Sequence, residues 1–581
     1  MKRSLPAHYK YLLLSIAIGL LFSSIIISFN INKPFNLDEQ EFACAAHNVI
    51  IKGIPLIEVD ETYSERYEGQ PLGLWHPPLY IYTLSLAFKI LGESVLTARG
   101  LGFLFHLVTF IFFILICGKL FKDKEFYIVS SIAAIFYCIN PIITQYTLLI
   151  DIDGGMLLLG MIGFSYFFIS LDERKLSPKN IFFLGSLFGI LLLIKFTTPP
   201  LIIPAMFTFY ILQRRYKEAF LNPFLILIVG ISVAWVIWYI YCRIFNMPLF
   251  YPMEYTFKTK FHQGGIFLTK EKLMGITFSF LSSLCWLSPW FMALMSFSII
   301  YRISRFIRQK ALEGVDFLLI LGIVILLFYF YYFPRGLMMK YQTIMYPLFI
   351  IVFSKCLYDL LLKHDLFKRK DRIVCFVLAI SAFLYYFLFF PDMVLWFTRG
   401  MSAAKGIFQE NQALFNILYF SPLIILSILF YFLSSKKNIV SSLIIGVSLL
   451  TFGAQVNQDI KQTADYTTAN SWNNYGERGE RETIDYLNSN LPKDGVVIVR
   501  KDIGYYLKTY PSGASNRKWI YNEIFTILRP QKAQARFQRL MEEYDISYIQ
   551  LDAVYSRGYD IIKPYFVFDK RFDDFVIFKR R

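Results

Sequence analysis

Short polar groups stand at the margins of long apolar runs in this chain of 581 residues, and their side-chain types are those that chemistry requires. Asp38-Glu39 follows the first apolar run, and Trp75-His76-Pro77-Pro78-Leu79-Tyr80 lies farther on. Asp151-x-Asp153 closes a later run, and Lys195 ends another in Leu-Leu-Ile-Lys-Phe-Thr-Thr-Pro-Pro. A carboxylate partly withdrawn from water gains basicity and can take a proton from a hydroxyl or amine, the work expected of Asp38 with Glu39 as its acidic neighbour. Asp151 and Asp153 offer oxygen ligands of the kind a divalent cation takes, while the plainer reading makes Asp153 a cap for the helix that follows. Lys195, Lys258, Lys260, Arg335 and Lys340 also admit two readings: basic side chains snorkelling to headgroups, or together a clamp for a lipid-linked phosphate that also stabilises it as a leaving group. The acids from Glu58 to Glu68 read as a solvated run.

These residues must be positioned by membrane helices. Hydrophobic residues make up 56% of the chain, aromatics 18% and charged residues 17%, which excludes a water-soluble globule. A helix needs about 17 to 25 apolar residues to cross hydrocarbon. About thirteen stretches approach that length, near 11–31, 97–118, 126–149, 154–171, 180–194, 199–212, 221–245, 273–301, 315–333, 342–361, 373–390, 414–433 and 438–456. The net charge of +17 gathers in alternate short loops, such as Lys119/Lys122/Lys124, Arg214/Arg215/Lys217 and Arg302/Arg305/Arg308/Lys310. By the positive-inside rule those loops and the N-terminus are cytoplasmic, so the basicity is topological and points away from nucleic acid. Asp38, Asp151, Lys195 and Lys340 then share the outer face. The alternation also requires that the apolar segment 78–91 not cross. It is expected to lie at the outer interface, within a first external loop spanning 32–96.

The first apolar run reads as a retained helix. The seven cysteines (44, 117, 138, 242, 285, 356 and 375) contain no CxxC pair and read as packing residues. A membrane domain over 1–456 is followed by a polar segment, 457–581, expected to form a small external α/β domain. It has helical spacing at 481–491 and 531–544, strand runs at 495–500 and 547–551, and a terminal hairpin around 569–574.

An Asp-Glu after the first helix, a downstream HPPL, a carboxylate in the second external loop and a Lys closing a later span resemble the GT-C glycosyltransferases. Within them the chain is similar to the protein O-mannosyltransferases and to their relative, the lipid A aminoarabinose transferase. The likeness by motif covers roughly 30–350. It implies transfer of a sugar from a polyprenyl-phosphate carrier to an acceptor outside the membrane. Asp38 matches the catalytic carboxylate, Glu39 its neighbour, Asp151 the second-loop carboxylate and Lys195 a contact to the carrier phosphate. Lys340-Tyr341 with Tyr346-Pro347 resembles the basic-aromatic segment, and Ser288-Pro289-Trp290 resembles the Pro-Trp element. His76 stands where the mannosyltransferases have His and the aminoarabinose enzymes Lys. The chain departs from both relatives: Asp38-Glu39-Gln40-Glu41-Phe42 replaces Asp-Glu-x-Arg-Tyr, and the Lys after HPPL is absent. Sugar and acceptor, whether protein, lipid or polysaccharide, are therefore not specified.

The expected mechanism is an inverting single displacement. Asp38 takes the acceptor proton, and Lys195 with Lys340 or Arg335 stabilises the departing phosphate. His76 holds Asp38 or the phosphate, and the stiff Pro77-Pro78 sets the interfacial helix below. No nucleotide or other cofactor is needed, and the resemblance does not call for the cation that Asp151-x-Asp153 could take. The expected partners are the polyprenyl-phosphate sugar, membrane lipid and an acceptor. The expected place is the plasma membrane of a bacterium, its inner membrane, crossed many times with the site outside. The rival readings are a transporter or lipid-linked-sugar flippase, against which the absence of matching halves weighs, and an inert assembly subunit.

Overall fold

The computed structural model describes residues 7–32, 35, 38–56, 77–171, 176–246, 249–250, 269, 273, 289–309, 312–332, 339–362, 369–389, 412–434, 438–464, 479–492, 496–504, 506–507, 525, 529–552, 556–573 and 575–581. They divide into two compact units. The first takes 1–31, 75–77 and 99–472, and the second takes 32–74, 78–98 and 473–581.

The first unit is helical. It contains α1 (Ala7–Asn30), followed beyond the second unit's α2 (Asp38–Lys52) and α3 (Leu79–Leu91) by α4 (Val95–Leu120), whose first residues belong to the second unit. Then come α5 (Asp123–Cys138), α6 (Pro141–Thr147), α7 (Gly155–Ser170), α8 (Pro178–Ile194), α9 (Ile202–Leu212) and α10 (Tyr216–Ile244). The later helices are α11 (Pro289–Gln309), α12 (Gly314–Tyr332), α13 (Met345–Leu357), α14 (Arg369–Phe389), α15 (Gln412–Leu433) and α16 (Ile439–Ala464). A helix lies on each of the thirteen apolar stretches, yet length and composition alone qualify six described helices to cross a membrane, or seven if a bent pair counts as one. Six further described segments are shorter apolar helices.

The bent pair replaces the single span expected over 126–149. α5 stops at Cys138 and α6 leaves it at 60°. The residues between dictate the break: Pro141 cannot continue a helix from α5, and the Asn140 side chain accepts hydrogen bonds from the Ile142 and Ile143 amides at 3.0 and 3.1 Å, starting a new one. α8 begins in the same way, with Ser177 capping the Asn180 amide and Pro178 in the first turn. It ends at Lys195, whose backbone is extended, before Pro199 and Pro200 open the next helical turn. α8 and α10 pack through glycine. A Cβ on Gly189 would meet the Gly230 carbonyl at 2.7 Å, and one on Gly230 would meet the Phe188 ring at 2.4 Å, so only glycine permits this approach.

In the second unit, α2 and α3 pack together. Phe42 meets Tyr80 edge to face at 5.7 Å, and the Tyr82 hydroxyl donates to the Gly53 carbonyl at 2.7 Å. α2 is a departure from expectation, since Asp38 and Glu39 open a helix where a loop was expected. The thirteen residues of α3 extend about 20 Å, short of the ~30 Å of hydrocarbon. The C-terminal part folds around a sheet of order β1-β2-β4-β3, with β1 (Val496–Ile498) parallel to β2 (Ile546–Asp552), and β3 (Phe566–Phe572) and β4 (Phe575–Arg580) as an antiparallel hairpin. α17 (Glu480–Asn490) contributes Leu487 to the core on one face, and α18 (Pro530–Glu543) contributes Phe537 and Leu540 to the other. Val496 and Ile498 face one core and Val497 and Val499 the other, which is why this strand reads as an unbroken apolar run.

Candidate active site

The carboxylates and lysines singled out in the first unit converge. Beyond α6 the chain turns tightly: the Asp153 amide donates to Asp151 Oδ1 at 3.1 Å and the Gly154 amide to the Asp151 carbonyl at 3.0 Å. A Cβ on Gly154 would lie 2.4 Å from the Leu149 carbonyl oxygen, so the turn requires glycine. Arg99, fully buried at the start of α4, holds the approach to this turn through the Leu148 carbonyl at 3.1 Å. Gly154, without a side-chain cap, stands at the start of α7. Asp153 therefore does not cap that helix, and its Oδ1 instead accepts a hydrogen bond from Lys195 Nζ.

Lys340, in the helical turn Met339–Gln342, donates to Asp151 Oδ2 at 2.5 Å. Two aromatic rings lie beside the ion pairs. Tyr329 near the end of α12 and Tyr341 stack at 5.2 Å and within 5° of parallel. Lys195 Nζ lies 4.7 Å from the centre of the Tyr341 ring and 5.8 Å from that of Tyr329, and donates to the Tyr329 hydroxyl at 3.5 Å. Lys340 Nζ lies 5.7 Å from the Tyr341 ring centre. Thr198, just past Lys195, shares a hydrogen bond with the Tyr329 hydroxyl. All these polar groups are buried or nearly so. Burial pushes the Tyr341 phenol up to about 12, so it keeps its proton at neutral pH.

The arrangement holds two ammonium groups charged and oriented in a low-dielectric site, each on its own carboxylate and both against π faces. An entering phosphate can take over those ammonium hydrogens, with Tyr341 and Tyr329 supplying further donors. Each Asp is engaged by a Lys, and among the described residues no three His, Cys, Asp or Glu side chains gather as a metal would need.

In the second unit Asp38 and Glu39 form the first turn of α2, where the helix dipole favours carboxylates, and Glu39 is buried. The following Gln40 donates to the Phe35 carbonyl at 2.9 Å. Pro78 precedes α3 as its N-cap, and Pro77 belongs to the first unit. Trp75, His76, Lys258, Lys260, Ser288 and Arg335 lie outside the described residues. Arg99, Thr198 and Tyr329 were not singled out in the sequence as site residues. The signals that point to them are a lone Arg entering a long apolar helix, and hydroxyl side chains flanking charges at helix ends.

Residues 75–241 match the model of a family described as dolichyl-phosphate-mannose-protein mannosyltransferase, inside the stretch where the motif resemblance was expected. No curated protein sequence matches the chain. Among solved structures it is similar to ArnT from Cupriavidus metallidurans bound to undecaprenyl phosphate, at a TM-score of 0.60 and 12% identity over 98% of each chain. It is also similar to the archaeal oligosaccharyltransferase AglB from Archaeoglobus fulgidus in complex with an inhibitory peptide and a dolichol-phosphate, at a TM-score of 0.51 and 13% identity over 98% of this chain and 74% of that one. The chain thus shares its fold with these two structures, and the likeness extends beyond the motif-bearing part to nearly its whole length.

Proposed function

We propose that this protein is an integral-membrane glycosyltransferase that moves a sugar from a polyprenyl-phosphate donor to an acceptor on the outer face of a bacterial plasma membrane. The observation that carries this reading is the convergence of Lys195 and Lys340, each on a carboxylate, upon the stacked Tyr329 and Tyr341. Such a group suits a lipid-linked phosphate, the chemistry of the undecaprenyl phosphate and dolichol-phosphate named with the two similar structures. Asp38 acts as base toward the acceptor, with Glu39 beside it in sequence. The lysines, joined by Arg335 and Lys260, neutralise the phosphate as the bond to the anomeric carbon breaks, inverting that carbon in one displacement. His76 orients Asp38 or the phosphate, and Pro77-Pro78 start the interfacial helix. The sugar arrives activated by its lipid phosphate, so no nucleotide is required.

Asp38→Asn tests this directly in membranes supplied with polyprenyl-phosphate sugars. Transfer should fall at least 100-fold, about the contribution of a general base, while carrier phosphate still binds. Undiminished transfer would remove Asp38 from catalysis. The 60° break between α5 and α6 is the kind of interruption transporters also use, and lipid-linked sugar crossing the bilayer with no transfer to any acceptor would favour a flippase instead.

A further inference from the structure

α11 carries a polar cleft that the proposed transfer does not use. It lies toward the end of α12 marked by Asp316, about 20 Å along the helix axis from Tyr329, on the face that the charge alternation assigns to the cytoplasm. The cleft encloses about 460 Å³ and is lined by Ile300, Tyr301, Ser304, Arg305, Arg308 and Asp359, among others. Its acid is already engaged: Lys355 Nζ, which also pairs with Glu125, donates to Asp359 Oδ1 at 2.6 Å and Arg305 Nη1 to Oδ2 at 3.0 Å. Arg305 is itself committed, to Glu313 at 2.6 Å and Gln309 at 2.9 Å. Behind it Arg302 grips Asp316 through two bonds of 2.7 Å. Arg308 differs. Among the described residues its guanidinium has no acidic partner, and the hydroxyls of Tyr301 and Ser304 make no hydrogen bond. The uncommitted groups in the cleft are therefore a cation and hydrogen-bond donors.

Beside these donors the same helix presents a stripe of exposed isoleucines, Ile300 at 64%, Ile303 at 48% and Ile307 at 67%. Their spacing of three and four residues sets them on one side of α11, and Ile300 also lines the cleft. An apolar stripe on a candidate membrane span, running into a site with one unneutralised arginine, matches a molecule with a phosphate at one end and acyl chains at the other.

We propose that this cleft binds an anionic phospholipid of the leaflet on that side. Its phosphodiester sits on Arg308 and accepts from Tyr301 and Ser304, with one acyl chain along Ile300, Ile303 and Ile307. Among the described residues Arg308 is the cation of the cleft without an acidic partner, and a headgroup that adds no ammonium group of its own fits it, so the anionic class is selected.

Native mass spectrometry of the purified full-length protein tests this with four probes: phosphatidylglycerol, phosphatidylethanolamine, undecaprenyl phosphate and inorganic phosphate. One phosphatidylglycerol should be retained at least tenfold more tightly than phosphatidylethanolamine. Arg308→Gln should weaken it about tenfold, the scale of one charge-assisted hydrogen bond, with unfolding temperature unchanged because the side chain is exposed and has no acidic partner among the described residues. Ile303→Asn, on the apolar side, should weaken the lipid as well. Equal phosphatidylglycerol binding by the parent and both variants would overturn the proposal. So would competition by inorganic phosphate at the same concentration, which would mark a site for a soluble anion, or displacement by undecaprenyl phosphate at stoichiometric amounts, which would mark a site for the carrier.

Discussion

Lys340 and Asp151 show what a buried ion pair can do that a surface pair cannot. Both are withdrawn from water, so removing one leaves its partner charged with no counterion, which costs about 3–5 kcal/mol, whereas removing both leaves no stranded charge. Lys340→Met should therefore lower stability by about 3 kcal/mol. Adding Asp151→Asn should restore most of that loss while leaving transfer abolished, because the proposed phosphate contact is still missing. Thermal unfolding of the single and double variants alongside carrier-phosphate binding separates the two roles, and a double variant that binds the carrier like the parent would dissociate Lys340 from the phosphate. The residues of this group were legible in the sequence because charges ending apolar runs stand out. Their pairing was not: Lys195 reaches across 42 positions to Asp153 and Lys340 across 189 to Asp151, and no local periodicity encodes such contacts. Tyr329 and Thr198 were hidden for a related reason, since an aromatic in an apolar helix reads as packing until its hydroxyl is placed.

At the scale of elements, the short helix α6 leads into the turn that carries Asp151, and α16 holds it. The Thr144 hydroxyl donates to Asp459 Oδ1 and Oδ2 at 2.9 and 3.2 Å, with Asp459 fully buried two residues beyond the apolar span Ile439–Asn457. Burial pushes the Asp459 carboxyl up to about 8, a rise that the hydrogen bonds from Thr144 and Gln145 only partly oppose. The folded chain thus keeps a proton that the unfolded chain releases near pH 4. With more protons bound when folded, stability is greatest below that value and falls as pH rises toward about 8. Asp459→Asn should flatten this decline, measured as unfolding temperature across pH 4 to 8. A slope unchanged by the substitution would mean that Asp459 is not the group responsible. The helices themselves were legible wherever apolar length marked them. The α5–α6 break escaped because hydropathy runs through Asn140-Pro141 without a dip large enough to divide it. α2 escaped because its apolar positions, Phe42, Ala45, Ala46 and Val49, follow a charged opening that reads as loop.

The whole molecule distributes its parts differently from their order along the chain. Residues 32–74 and 78–98 form one compact unit with 473–581, although nearly four hundred residues of membrane helices separate them. Inside that unit the Phe35 amide donates to the Tyr506 hydroxyl at 2.6 Å, and the two rings lie 6.1 Å apart, just before α2 begins at Asp38. The C-terminal segment therefore supports the entry to the helix bearing the proposed base, a role that composition could not reveal because it read only as a separate polar domain. Loss of one hydrogen bond costs about 1 kcal/mol, so Tyr506→Phe should loosen α2 without unfolding the molecule. Hydrogen exchange should show faster exchange in 38–52 and little change in α8 or α13. Transfer should fall severalfold while carrier phosphate binds as in the parent, because the lysines of the first unit are untouched. Termination after 472 should go further, abolishing transfer and opening 38–52 to protease while leaving the unfolding of the first unit in place. Exchange in α2 unaltered by either change would show that α2 holds its own structure and that the C-terminal segment serves something else.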